Sequence, residues 1–161
     1  MIRSREARRC ASYAALACSI ALLVGCLGAF EPDVGERRAG VCPPEDSDPS
    51  YDVSFSMDVF PLLERMPPEI GCGCHMPDSR RPIGIEISGL DLSSYSALMR
   101  GGEQSASTIV VPGDPCSSVL VQKLSSAPPF GSRMPSNGPP YLSPLERELI
   151  ADWIAEGAHD N

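Results

Sequence analysis

A chain of 161 residues, 42% hydrophobic and only 6% aromatic, has room for one ordinary domain plus tails and excludes a multidomain enzyme. Fourteen glycines and seventeen prolines exclude a long coiled coil and argue for short helices joined by stiff loops. The formal charge is −8 and Lys123 is the single lysine, so no cationic face is available for phosphates and nucleic-acid binding is disfavoured.

The chain opens with Arg3, Arg5, Arg8 and Arg9, followed by an uncharged run of small and apolar residues up to Gly25. This is the layout of a secretory signal, and its apolar part, about sixteen residues, is shorter than the ~20 that a spanning helix needs. Its end, Leu23-Val24-Gly25-Cys26, resembles a bacterial lipobox, in which the Cys is lipidated and becomes the first mature residue. Residues 1–25 are therefore read as a lipoprotein signal peptide and Cys26 as the lipidated residue. The residue after it, Leu27 rather than Asp, implies outer-membrane sorting by the same resemblance. Removing the signal leaves nine basic and twenty acidic residues, a net −11. Residues 26–52, with Glu31, Asp33, Glu36, Glu45, Asp46, Asp48 and four prolines, read as an acidic Pro-rich tether.

From residue 53 onward the pattern is that of a folded domain. Phe55, Val59, Phe60, Leu62 and Leu63 recur at helical spacing behind Ser56 as N-cap and predict a helix over about 56–66. Gly71-Cys72-Gly73-Cys74-His75 follows, one residue short of the C-x-x-C-H of covalent haem attachment. In the full motif two thiols form thioethers to one haem, and the adjacent His turns its ring onto the iron. Cys72 and Cys74 would lie about 200° apart on an ideal helix, so both reach one porphyrin only through an irregular turn, which Gly71 and Gly73 make easy. The other solution is a single thioether from Cys74.

Ser93 as cap with Leu98 and Met99 predicts a second helix, stopped by Gly101-Gly102. Ile109-Val110-Val111 could be a short strand but is too brief to carry a sheet. Asp114 as cap and Pro115 at the first helical position predict a third helix with Val119, Leu120, Val121 and Leu124. Residues 125–141 hold seven prolines and glycines, and so long a loop between helices calls for a reason such as a cofactor. Ser143-Pro144-Leu145-Glu146 is a capping box, and Leu145, Leu149, Ile150, Trp153 and Ile154 form the stripe of a last helix ended by Gly157.

Further sequence features run in order through the same region. They are Ser54-Phe55-Ser56 with Asp58-Val59 and Pro61, the Cys74-His75 pair, Gly89-Leu90-Asp91-Leu92-Ser93-Ser94-Tyr95, Val111-Pro112-Gly113-Asp114-Pro115 and Lys123-Leu124. They continue as Gly131-Ser132-Arg133-Met134-Pro135, Gly138-Pro139-Pro140, Ile150-Ala151-Asp152-Trp153-Ile154 and Glu156-Gly157-Ala158. Residues 53–161 thereby resemble the small c-type cytochrome domain of exported myxobacterial and planctomycete proteins. The resemblance implies an all-α cytochrome c-like fold of about four short helices with long Pro/Gly loops, the first and last helices crossing. It implies one haem c held by Cys74, with Cys72 as second attachment candidate, and His75 and Met134 as axial ligands of the iron. Met76 adjoins His75 too closely to take the opposite face, and His159 is read as solvated.

Cys42 and Cys116 remain, and in an oxidising compartment they are expected to pair, tying the tether onto the third helix. Two disulfides among Cys42, Cys72, Cys74 and Cys116 are the competing arrangement, and a zinc site from Cys72, Cys74 and His75 is a third. No phosphate loop, Ser/His/Asp set or paired carboxylates appear, so nothing suggests a hydrolase or transferase, and the resemblance implies one-electron transfer, an electron carrier rather than a catalyst. The leading expectation is a membrane-anchored monohaem cytochrome that exchanges single electrons with redox protein partners in the envelope, facing the periplasm or the surface. The alternative is a haem-free, disulfide-stabilised lipoprotein with a cytochrome c-like fold that serves as a binding or structural module.

Overall fold

In the computed structural model, the described residues are 42, 45–66 and 68–161. The signal peptide, the lipidation residue Cys26 and the first part of the tether lie outside them. Among the described residues there are five short α-helices and no strand, so the fold is all-α. None of these helices is long and apolar enough to cross a membrane.

A π-helical turn, Phe55–Val59, runs directly into α1, Phe60–Leu63. The cap is Ser54, whose hydroxyl accepts the Met57 N–H, rather than Ser56. Pro61 sits in the first turn of α1, where a missing N–H costs nothing. α2, Ile83–Ser88, is a helix the sequence pattern did not announce: it is six residues long, and its isoleucines, Ile83, Ile85 and Ile87, alternate as in a strand. α3, Tyr95–Arg100, is capped by Ser94 rather than Ser93 and is ended by Gly101 at φ 70°.

α4, Val119–Leu124, begins later than the Asp114-Pro115 signal predicts. Asp114 does cap, but it caps a separate turn, accepting the Ser117 N–H at 2.9 Å. The chain then turns at fully buried Ser118, whose hydroxyl accepts from Val111 N–H and donates to the Asp114 carbonyl. Those bonds, with Leu120 N–H to Ile109 O, satisfy the backbone of residues 109–111 locally, and this segment lies buried as irregular chain instead of a strand. α5, Pro144–Ala155, carries the complete capping box of Ser143 and Glu146. Leu145 departs from the predicted stripe and is exposed, whereas Ile150, Trp153 and Ile154 are fully buried.

The core forms where the π-turn meets α5. Phe55 and Trp153 have ring centroids 5.3 Å apart, and Tyr95 from α3 meets Phe55 edge-on at 5.4 Å. The polar tips find carbonyls beyond α5: Trp153 Nε1 donates to His159 O and Tyr95 Oη to Ala158 O, both at 2.9 Å. The exposed ring of His159 agrees with its reading as solvated. Arg65, just after α1, forms an ion pair with Glu146 at the start of α5.

A domain this small gains from a covalent staple. Cys42 and Cys116 supply it, their Cα atoms 5.4 Å apart and 74 residues apart in sequence. Cys116 lies in the turn before α4, not in the helix itself. The expectation of two disulfides is not met, since Cys72 and Cys74 carry free thiols. The end of the tether also rests on the domain. Ser47 donates through its N–H and hydroxyl to the buried Asp152 carboxylate, and Val53 N–H donates to Glu156.

Candidate functional site

The Cys-His segment is shaped by what precedes it. After α1 the chain doubles back, so that Cys72 N–H donates to Leu63 O and Gly73 N–H to Arg65 O, each at 3.0 Å. A Cβ on Gly73 would stand 2.7 Å from Arg65 O, closer than real Cβ contacts come, so only glycine fits here. The doubled-back chain then takes a single 3-10 turn, Gly73–His75. The irregular turn anticipated for this motif is therefore present, and both Cys72 and Cys74 reach one cavity from it.

The two thiols are unequal. Cys72 is buried, and burial, with a smaller contribution from Cys74, pushes its pKa up to about 12, so it stays a protonated thiol. Cys74 is half-buried at the cavity wall.

His75 is held from both sides. Its ring Nδ1 lies 3.0 Å from the Leu90 carbonyl oxygen, and Leu92 N–H donates back to the His75 carbonyl at 3.0 Å. A carbonyl can only accept, so the proton resides on Nδ1 and the lone pair on Nε2 is the one available to a ligand. Burial lowers the pKa of the ring, and the nearby Lys123 charge adds to this against the Leu90 bond. The imidazole is thus neutral near pH 7, the form that ligates metals. Gly84 on α2 packs against the ring: a Cβ there would lie 2.7 Å from His75 Cγ and Cδ2.

The cavity these residues line measures about 390 Å³. Its wall is mostly apolar, with Ile83 and Ile87 of α2, Leu90, Leu92, Leu120 and Leu124. Met134 enters it from the 125–141 loop, half-buried beside fully buried Pro135. The tertiary structure therefore brings Cys72, Cys74, His75 and Met134, predicted from sequence, to one cavity across 62 residues of chain. Met76 instead points into the hydrophobic core. Among the described residues no group of three or more His, Cys, Asp or Glu is arranged to hold a metal ion, the set of Cys72, Cys74 and His75 included.

Residues 72–138 match the family described as planctomycete cytochrome C. The chain carries a small cytochrome c-like domain. The matched stretch runs from Cys72 to just past Met134 and includes every cavity-lining residue except Gly71. No curated protein and no solved structure matches the chain.

The cytochrome c-like domain can be tested for haem on its own residues, and they fit. The cavity is apolar and of cofactor size, a thiol stands at its wall, and an oriented neutral imidazole and a thioether both line it. The sequence reading missed three contributors: Gly84, which flanks the ring, the Leu90 carbonyl, which sets its tautomer, and the ammonium group of Lys123 at the cavity edge. A backbone carbonyl leaves no signature in sequence. Gly84 and Lys123 gain meaning only once α2 and α4 are seen to face the same cavity.

Proposed function

We propose that the domain is a monohaem c-type cytochrome carrying single electrons in the cell envelope. The observation that carries this reading is that Cys74, His75 and Met134 line one apolar cavity. Bound haem would supply a one-electron iron couple. Cys74 would supply the thiol of the covalent link, and the greater burial of Cys72 favours one thioether over two. His75 would ligate through Nε2, its Nδ1–H donating to Leu90 O and raising the basicity of the ring.

Met134 would be the second protein ligand of the iron, through its thioether. With an imidazole and a neutral thioether as its ligands the bound group would have a raised reduction potential, and with both residues engaged it would offer no ready site to peroxide or oxygen. The role is accordingly carriage of electrons rather than catalysis. The apolar wall would exclude water from most of the haem, while the opening of the cavity would leave an edge for transfer.

Anchoring at Cys26 after removal of residues 1–25 would hold the domain near the outer membrane, facing the periplasm or the surface. The acidic mature chain suits partners with basic patches, with encounter rates that fall as salt rises.

The test is the absorption spectrum of mature protein, produced with c-type maturation factors, as the reduced pyridine complex after acid-acetone extraction. A haem band that stays with the polypeptide is expected, at the position of a single thioether. Colourless protein beside a control cytochrome that matures normally would replace this reading with the haem-free binding module.

A further inference from the structure

The 125–141 loop has no regular structure of its own, yet it must hold one sulfur at the cavity. Lys123, in the last turn of α4, grips it at three points. Its ammonium donates to Phe130 O and to Ser132 O, each at 2.6 Å, and its backbone carbonyl accepts the Met134 N–H at 2.8 Å. Residues 130, 132 and 134 are thus bound to one residue. The ammonium also lies 4.9 Å from the centroid of the Phe130 ring, close enough for cation–π attraction. The loop returns one contact to the next residue of α4, Arg133 Nε donating to Leu124 O at 3.1 Å.

We propose that Lys123 is the positioning residue of the Met134 loop, its side chain clamping the carbonyls of Phe130 and Ser132 so that the Met134 thioether stays at the cavity. This rests on Met134 being the distal ligand. The chemistry suits lysine: a compact ammonium on a flexible stem can satisfy two carbonyls that diverge, and charge-assisted bonds of this kind are about twice as strong as neutral ones. Its contacts are with the backbone of the loop and the Phe130 ring, so it acts on Met134 through the geometry of the loop.

The experiment compares wild type, Lys123→Leu, Lys123→Gln and Lys123→Arg by two readouts. One is hydrogen exchange of the Met134 amide in haem-free protein; the other is the thioether-to-iron charge-transfer band in haem-loaded protein. In Lys123→Leu, Met134 amide exchange should quicken at least tenfold while the helical amides of α5 keep their protection, and the charge-transfer band is read per haem bound. The charge-transfer band should fall by more than half, and Lys123→Arg, which can still donate to both carbonyls, should recover most of it. Lys123→Gln, with one amide donor group, should fall between, and it stands in if Lys123→Leu does not fold.

Met134 exchange unchanged within twofold in Lys123→Leu, or in Lys123→Gln where that variant stands in, overturns the proposal, whether or not the band changes. Wild-type protein that holds haem without the band overturns Met134 as ligand, and with it this proposal. Colourless wild type overturns the haem reading, and amide exchange then decides by itself whether Lys123 positions the loop.

Discussion

The imidazole Nδ1 of His75 lies 3.0 Å from the carbonyl oxygen of Leu90, and the two residues are also joined through Leu92, whose N–H donates to His75 O. The segment after α2 therefore clasps His75 by its ring and its backbone together. Both bonds are internal to the chain, so the chain itself sets the orientation of the ring. Preorganisation of this kind spares the ordering cost at binding.

Gly84→Ala tests how closely the ring is held. The new methyl would stand 2.7 Å from the His75 ring and 2.8 Å from the Cys74 carbonyl, so ring, carbonyl or α2 must shift. Overpacking of this sort costs ~1–3 kcal/mol. The expected outcome is a lower denaturation midpoint in the haem-free protein and a shifted Soret band in the loaded one. An unchanged midpoint would show that α2 yields freely.

The disulfide sets a second expectation. Cys42→Ser with Cys116→Ser opens a bridge spanning 74 residues, for which loop-closure entropy alone gives ~4.5 kcal/mol and disulfides typically deliver ~2–4 kcal/mol, the loss expected here. Urea denaturation of the double variant, with haem-free wild type as reference, measures it. A loss under ~1 kcal/mol would mean that the noncovalent contacts of residues 45–53 already hold this end of the chain.

The capping box of α5 gives a local prediction. Ser143→Ala removes the acceptor for the Glu146 N–H and half of the reciprocal pair. Caps of this type contribute ~1 kcal/mol, and the thermal midpoint should fall by a few degrees. Because Glu146 also pairs with Arg65 beyond α1, Glu146→Ala should cost more than Ser143→Ala. The same measurement compares them.

Glu156 makes stability depend on pH. Burial raises its pKa, and the carboxylates of Asp46, Asp52 and Asp152 raise it further, against a bond from Val53 N–H. A carboxyl whose folded pKa lies above its unfolded value favours the folded state below the unfolded pKa, and that contribution is lost as pH rises through the folded pKa. Glu156→Gln keeps an acceptor for Val53 but cannot ionise. Its stability relative to wild type should therefore increase as pH is raised from about 4.5, the ordinary carboxyl value, towards 7. Parallel stability curves for the two proteins would remove Glu156 as the cause.

Much of this protein can be read in its linear order because the signals are local. Ser143, Pro144 and Glu146 specify the start of α5 within four residues, and Trp153 with Ile150 and Ile154 marks its buried face. The Cys74-His75 pair and Met134 stand out by residue type, and the pairing of Cys42 with Cys116 follows from which thiols the motif leaves over. What local pattern mispredicts is equally physical. Asp114-Pro115 has the chemistry of a helix start, but Ser118 offers the backbone a better partner and delays α4 by a turn. α2 was missed because it is only six residues long with isoleucines at alternate positions, and two of them, Ile83 and Ile87, line the cavity rather than the packed core.

The composition, the capping box of α5 and the identities of the candidate ligands were determined by sequence alone, since each depends on residue type or on neighbours a few positions away. Only the tertiary structure decided that Leu90 sets the histidine tautomer, that Gly84 flanks its ring, and that Lys123 grips the loop carrying Met134. Those relationships run through backbone carbonyls and empty space, which no side-chain pattern encodes, and they exist only once separate segments converge on one cavity.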